Sequence, residues 1–401
     1  MNTRLATAQL IDALDSAAKD ESFQPVLVGI RDLLHEIGLD VGRLSIPMNA
    51  HAGFRHPTIF AVQLVWSQVD DAFENLIITH DGRRRHLAGS TSLNHDDHVQ
   101  SEPVAIDSPY GRAARDPLGI YRVNLITDEL DLPILNHLKD EGFSEYLVYS
   151  LRIPGSQVKQ SISLSTTSAF PLDVIDRLDA VNDLISMTLY AAYRTSQALT
   201  LADVYLGRQT GRRVLMGDII RGQTEEIKSG LMFCDVRGFT QLTERIGGAA
   251  IVDVMNELFA IIGQHAEVRG GEILKFIGDA MLVVFPTAGK STAVVARDMA
   301  DCVRSALNDI QEFSQSRQLE LGVGFGCHIG KVVYGNIGTP TRLDFTVMGP
   351  AVNLASRLES LTKAVGVSNL FSKEVAQELP ELNPCGAYPV KGIHDPVEVF
   401  T

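Results

Sequence analysis

The chain has 401 residues, 45% hydrophobic and 21% charged, with a formal net charge of −14. That length exceeds what one core ordinarily serves, so two domains and a connector are expected. The negative charge argues against a nucleic-acid or anionic-membrane surface, because phosphates and headgroups would be repelled. Four cysteines (Cys234, Cys302, Cys327 and Cys385) are scattered without CxxC spacing. This disfavours a disulfide framework or a zinc site and points to the reducing cytoplasm. The N-terminal MNTRLATAQLIDALDSAAKD mixes Asp and Lys among its apolar residues, unlike a signal peptide. No stretch approaches the roughly 18 apolar residues of a membrane span.

In chain order, residues 1–37 show helical spacing, expected as two helices broken near Asp20–Phe23. Short β-rich runs follow at 42–48, 59–66, 74–80, 144–153 and 161–166, with a helix around 131–140. Helices flanking a small antiparallel sheet predict a GAF- or PAS-like α+β domain over residues 1–170. TTSAFPLDVIDRL, where the last strand passes into a long helix, resembles the end of a GAF domain.

Residues 171–206 read as one helix. Val174, Leu178, Val181, Ile185, Thr188, Ala192, Thr195 and Leu199 alternate by four and three, the seam of a parallel coiled coil. The same spacing suits a helix packed on its own domain, at least over its first half. The following glycine-rich stretch completes a transmitter, residues 171–228, and a β-rich segment opens at Ser229.

Three stretches of residues 229–401 carry chemistry. SGLMFCDVRGFTQLTERIGG begins as an apolar strand, delivers Asp235 at its end and turns through Gly238 into a helix. A carboxylate there can hold a metal, while backbone N–H groups of Val236–Thr240, among them Gly238, Phe239 and Thr240, and the helix terminus would face phosphates. GGEILKFIGDAMLVVFP reads as a hairpin with Lys275 and Asp279 on either side of its Gly-Asp tip. Two such aspartates could bracket a pair of Mg²⁺ or Mn²⁺ ions about 3.5–4 Å apart. In RLDFTVMGPAVNLASRLESL, a strand carrying Thr346 turns through Gly349-Pro350 into a helix on which Asn353 and Arg357 share one face.

FCDVRGFT, KFIGDAML and TVMGPAVNLASR, in that order, resemble the catalytic motifs of class III nucleotide cyclases, and the later PVKG (389–392) resembles the family's phosphate-binding lysine segment. The residue pattern reads as βααββαβ, the ferredoxin-like core of that family. The resemblance implies that Asp235 and Asp279 bind two divalent metal ions and that Lys275 and Thr346 read the base. Asn353 would position the ribose, Arg357 would stabilise the transition state, and Lys391 would hold the terminal phosphates. Members work as dimers with shared sites, so a symmetric homodimer of this chain would hold two complete sites. On that reading Lys275 and Asp279 point into different active sites and are not a salt bridge.

Lysine only donates, which suits N1 of adenine, and the Thr346 hydroxyl can accept from N6. The expected activity is therefore adenylate cyclase, ATP to 3′,5′-cyclic AMP and pyrophosphate. A guanylate cyclase and a non-catalytic, dimerising signalling protein are the alternatives. Threonine at 346, where many adenylate cyclases of the family carry aspartate, resembles a subclass that includes bicarbonate-responsive enzymes. Bicarbonate is thus a candidate effector and some GTP turnover is expected. The N-terminal domain would receive a small-molecule or protein signal.

Other motifs carry less. RGGEIL (269–274) leads straight into a strand, unlike a GGDEF loop. GVGFGCHIG (322–330) lies in a β run with no following helix, which suggests close strand or subunit packing. HDDH (95–98) reads as a solvated loop, and His51 and His56 as structural residues.

Overall fold

The computed structural model describes residues 3–20, 23–49, 59–69, 72–79, 84–86, 108–152 and 160–401. His51, His56 and HDDH (95–98) lie outside the described residues. The chain divides into two compact units, Met1–Thr200 and Leu201–Thr401. No helix among the described residues is long and apolar enough to cross a membrane.

The first unit opens with α1 (Thr3–Asp20) and α2 (Gln24–Glu36), separated where expected, with proline in the first turn of α2. Then come β1 (Arg43–Asn49), β2 (Ile59–Ser67), β3 (Ala72–Thr79), β4 (Arg84–His86), α3 (Pro109–Arg115), β5 (Ile120–Asn124), α4 (Pro133–Asp140), β6 (Glu145–Leu151), β7 (Gln160–Thr166) and α5 (Val174–Leu206), whose residues from Leu201 on count with the second unit. β4, α3 and β5 are additions to the sequence expectation. The strands form one antiparallel sheet in the order β4-β3-β2-β1-β7-β6-β5.

Strand alternation sorts this sheet's two faces. Leu44, Ile46, Leu64, Leu147, Ile162 and Leu164 pack with residues of α1, α2 and α5, and Tyr146 and Val148 pack with residues of α3 and α4. Along α5, Val174, Leu178, Val181, Ile185 and Ala192 are buried in the first of these cores. Asn182 donates to Tyr149 Oη at 2.9 Å and to the Ser150 carbonyl at 3.2 Å. The first half of the heptad seam is therefore spent inside its own unit and is closed to a coiled-coil partner.

The second unit contains α6 (Arg208–Leu215), β8 (Thr224–Val236), α7 (Phe239–Ile246), α8 (Gly248–Glu267), β9 (Glu272–Ile277), β10 (Ala280–Pro286), α9 (Thr292–Arg317), β11 (Val323–Gly338), β12 (Leu343–Met348), α10 (Pro350–Val365), β13 (Asn369–Ser372), α11 (Lys373–Ala376), β14 (Pro384–Tyr388) and β15 (Val397–Phe400). The expected βααββαβ order is present as β8-α7-α8-β9-β10-α9-β11. The stretch read as a glycine-rich connector holds α6, whose N-terminus is capped from within this unit. The Glu272 carboxylate accepts from the backbone N–H groups of Gln209 at 2.9 Å and Thr210 at 3.2 Å.

The sheet runs β14-β15-β13-β11-β8-β10-β9, with β12 paired to β11. Met232, Cys234, Met281, Val283, Phe285, Phe325 and Cys327 form its core with residues of α8 and α9. Each fully buried large apolar side chain there contributes about 1.5–3 kcal/mol. Burial pushes the Cys234, Cys302 and Cys327 thiols above their ordinary value, Cys302 to about 12, while Cys385 is half-buried.

The opposite face of β11 explains GVGFGCHIG. A Cβ at Gly326 would lie 2.1 Å from the Glu359 backbone N and 2.3 Å from the Ala355 carbonyl oxygen. One at Gly324 would lie 2.7 Å from Thr362 Oγ1, and one at Gly330 would lie 2.7 Å from Ala351 Cβ. Close packing is present as expected, but the element admitted is the helix α10.

Candidate active site

The two aspartates reach one place by different local routes. Asp235 ends the apolar run of β8, and Gly238 then adopts a left-handed φ of 66° as the N-cap of α7. Asp279 sits in the two-residue turn between β9 and β10, where Gly278 also has φ 66°. Antiparallel register places Ala280 opposite Asp235, and the Val236 N–H donates to the Asp279 carbonyl at 3.4 Å. Burial, and then the charge of Asp279, push the Asp235 carboxyl above its usual range. Lys363 Nζ of α10 lies 3.6 Å from Asp235 Oδ2. Behind them Glu359 is 94% buried, and burial followed by Asp235 raises its carboxyl as well.

Two adjacent carboxylates supply hard oxygen donors and more negative charge than one lysine offsets, so they fit divalent ions such as Mg²⁺ or Mn²⁺. Among the described residues no group of three or more His, Cys, Asp or Glu is placed to hold a metal. Two carboxylates together with substrate phosphates and water is the set that Mg²⁺ ordinarily takes.

Lys275 reaches β12, the strand that carries Thr346, through Asp344. Lys275 pairs with Leu282 on β10, and the β9–β10 register shifts immediately after, between Leu282 and Val283. Its ammonium pairs with Asp344 Oδ2 at 2.6 Å. Asp344 and Thr346 share one face of β12, while Phe345 and Val347 are buried on the other. Asp344 was passed over in the sequence, although its place two residues before Thr346 was a signal for a shared face.

α10 starts as expected, with Gly349 as N-cap and proline in its first turn, and ends at Gly366 in the left-handed conformation. Asn353 is exposed one turn before the half-buried Arg357. A Cβ at Gly392 would lie 3.3 Å from Arg357 Nη2, so the PVKG turn with exposed Lys391 passes beside the guanidinium. Among the described residues Arg357 has no carboxylate partner. Phe239 and Thr240 open α7, with Thr240 exposed. Glu359 and Lys363 were missed because nothing in the sequence separates them from an ordinary amphipathic helix.

Residues 223–401 match the family model for the adenylate and guanylate cyclase catalytic domain. This segment is a class III adenylate/guanylate cyclase catalytic domain, a nucleotidyl cyclase fold, and residues 1–222 lie outside the match. An adenylate cyclase of Anabaena cylindrica is 34% identical over 151 residues, 37% of this chain and 30% of that protein. Adenylate cyclase 1 of Rhizobium meliloti is 27% identical over 241 residues, 58% of this chain and 35% of that protein. The chain thus spans about a third of the length of these curated relatives. Among solved structures, the adenylyl cyclase CyaB from P. aeruginosa is 29% identical over 44% of this chain and 94% of that one, with a TM-score of 0.41.

Proposed function

We propose that this protein is a cytoplasmic adenylate cyclase that converts ATP to 3′,5′-cyclic AMP and pyrophosphate at the interface of a homodimer. The observation that carries the reading is the adjacency of Asp235 and Asp279 at the ends of paired strands. Two divalent ions held there would lower the pKa of the ribose 3′-OH and neutralise phosphate charge. Backbone groups of Gly238, Phe239 and Thr240 face the phosphates, Lys391 holds their terminal end, and Asn353 positions the ribose. Arg357 meets the charge on the α-phosphoryl oxygens as the 3′-oxygen attacks in line and pyrophosphate leaves. Lys275 donates to N1 of adenine and Thr346 accepts from N6. The N-terminal unit is a GAF-like sensor whose small-molecule or protein signal is passed on through α5.

Purified protein given ATP or GTP with Mn²⁺, with product identified by chromatography, tests the reading. Cyclic AMP supports it, and cyclic GMP alone makes the protein a guanylate cyclase. No product from folded dimer would leave a non-catalytic signalling protein.

The division of each site between two chains has its own test. Lys275→Ala and Asp279→Ala should each be almost inactive as homodimers. Co-expressed, about half the dimers are mixed and each has one intact site of two, so about a quarter of wild-type activity should return. If both residues served one site, mixing would restore nothing. Absence of rescue in mixed dimers shown to form would overturn the cross-chain assignment.

A further inference from the structure

Lys275 is not a free base reader waiting for a nucleotide. Its ammonium lies 2.6 Å from Asp344 Oδ2, and the two side chains are 27% and 66% exposed. An ion pair this open to water adds little to stability, so folding gains little from it. What it does bias is direction. A lysine side chain is long and flexible and its three donors rotate freely. With one N–H donated to Asp344, the ammonium favours the face of β12 that also carries Thr346, and two donors remain.

The neighbouring threonine gives that restraint its importance. A hydroxyl donates as readily as it accepts, so Thr346 alone cannot tell the N6 amino group of adenine from O6 of guanine. Discrimination must then come from a donor that stays in place. A lysine fixed opposite position 1 meets an acceptor in adenine and an N–H in guanine, where donor would face donor. A lysine free to swing can satisfy either base by moving toward O6.

We propose that Asp344 is a specificity-determining positioning residue, which holds Lys275 so that the site selects adenine over guanine. The inference rests on the proposed cyclase function, and its test separates the two. The full-length wild-type chain, Asp344→Ala, Asp344→Glu, Lys275→Ala and the Asp344→Ala/Lys275→Ala double variant are each assayed for kcat/KM with ATP and with GTP. Melting temperatures are recorded in parallel.

Asp344→Ala should lower ATP kcat/KM by about tenfold and leave GTP kcat/KM equal or higher, with melting unchanged. Asp344→Glu should recover most of the ATP preference. In the Lys275→Ala background, loss of Asp344 should have no further effect on the ratio, because the residue acts through the lysine. Asp344→Ser carries the same expectations should the alanine variant fail to fold. An ATP:GTP ratio unmoved in an active Asp344→Ala enzyme overturns the inference and leaves the cyclase reading standing. So does an equal loss with and without Lys275. A wild-type chain that makes neither cyclic nucleotide removes both.

Discussion

Arg357→Ala should lower kcat by about 10³–10⁵, the range seen when an arginine is removed from other phosphoryl-transfer sites. The motivation is its setting rather than its residue type alone. The guanidinium is half-buried beside the Gly392 turn, one helical turn after Asn353, and no described carboxylate claims it. A cation so placed is available to an anion from outside the chain, and its planar fork suits two phosphoryl oxygens at once. KM for ATP should change far less than kcat, because the charge it meets grows in the transition state. Steady-state kinetics with melting as a control decides it. A loss below about tenfold in folded enzyme would remove Arg357 from the reaction.

The second large effect is structural. Gly326→Ala would set a methyl carbon 2.1 Å from one backbone atom of α10 and 2.3 Å from another. Side-chain ends can move aside, but helix backbone cannot without lifting the helix that carries Asn353 and Arg357. Overpacking of this kind should cost at least about 3 kcal/mol, or a fall of roughly 6–12 °C in the melting temperature of a unit this size. Activity should fall with it. Gly366→Ala is the control, since a Cβ there meets nothing within 4 Å and only the left-handed φ of 80° is strained. That change should cost about 1–2 kcal/mol. Equal melting of the two variants would show that the helix can yield.

What the sequence made legible was local. Asp235 at a strand end, Gly238 at the turn behind it and the two-residue Gly278-Asp279 turn each follow from a few neighbouring residues, and so does proline opening α10. The Lys275–Asp344 pair joins residues 69 apart in sequence, and only the closed sheet brings them together. α6 escaped notice because Gly207 and Gly211 read as loop punctuation. Yet Gly207 takes the positive φ of an N-cap, and a Cβ at Gly211 would lie 2.8 Å from the Ala202 carbonyl oxygen. The seam of α5 was ambiguous in principle, because apolar residues every three or four positions serve a partner helix or a home core equally. The start of β8 at Thr224 was hidden for the opposite reason. Residues 224–226 are exposed and polar, and pairing with β11 alone makes them strand.

The cysteine pattern offers an experimental handle on the second unit. Three of the four thiols are sealed in the core of the second unit, with ionisation suppressed by burial, whereas Cys385 is half-buried in β14. A thiol-directed fluorophore applied to native protein is thereby steered to a single position, since thiolate and access are both required for reaction. That position lies six residues before Lys391. The natural chain thus comes with a site for one optical reporter in β14, and labelling this unit needs no engineered cysteine.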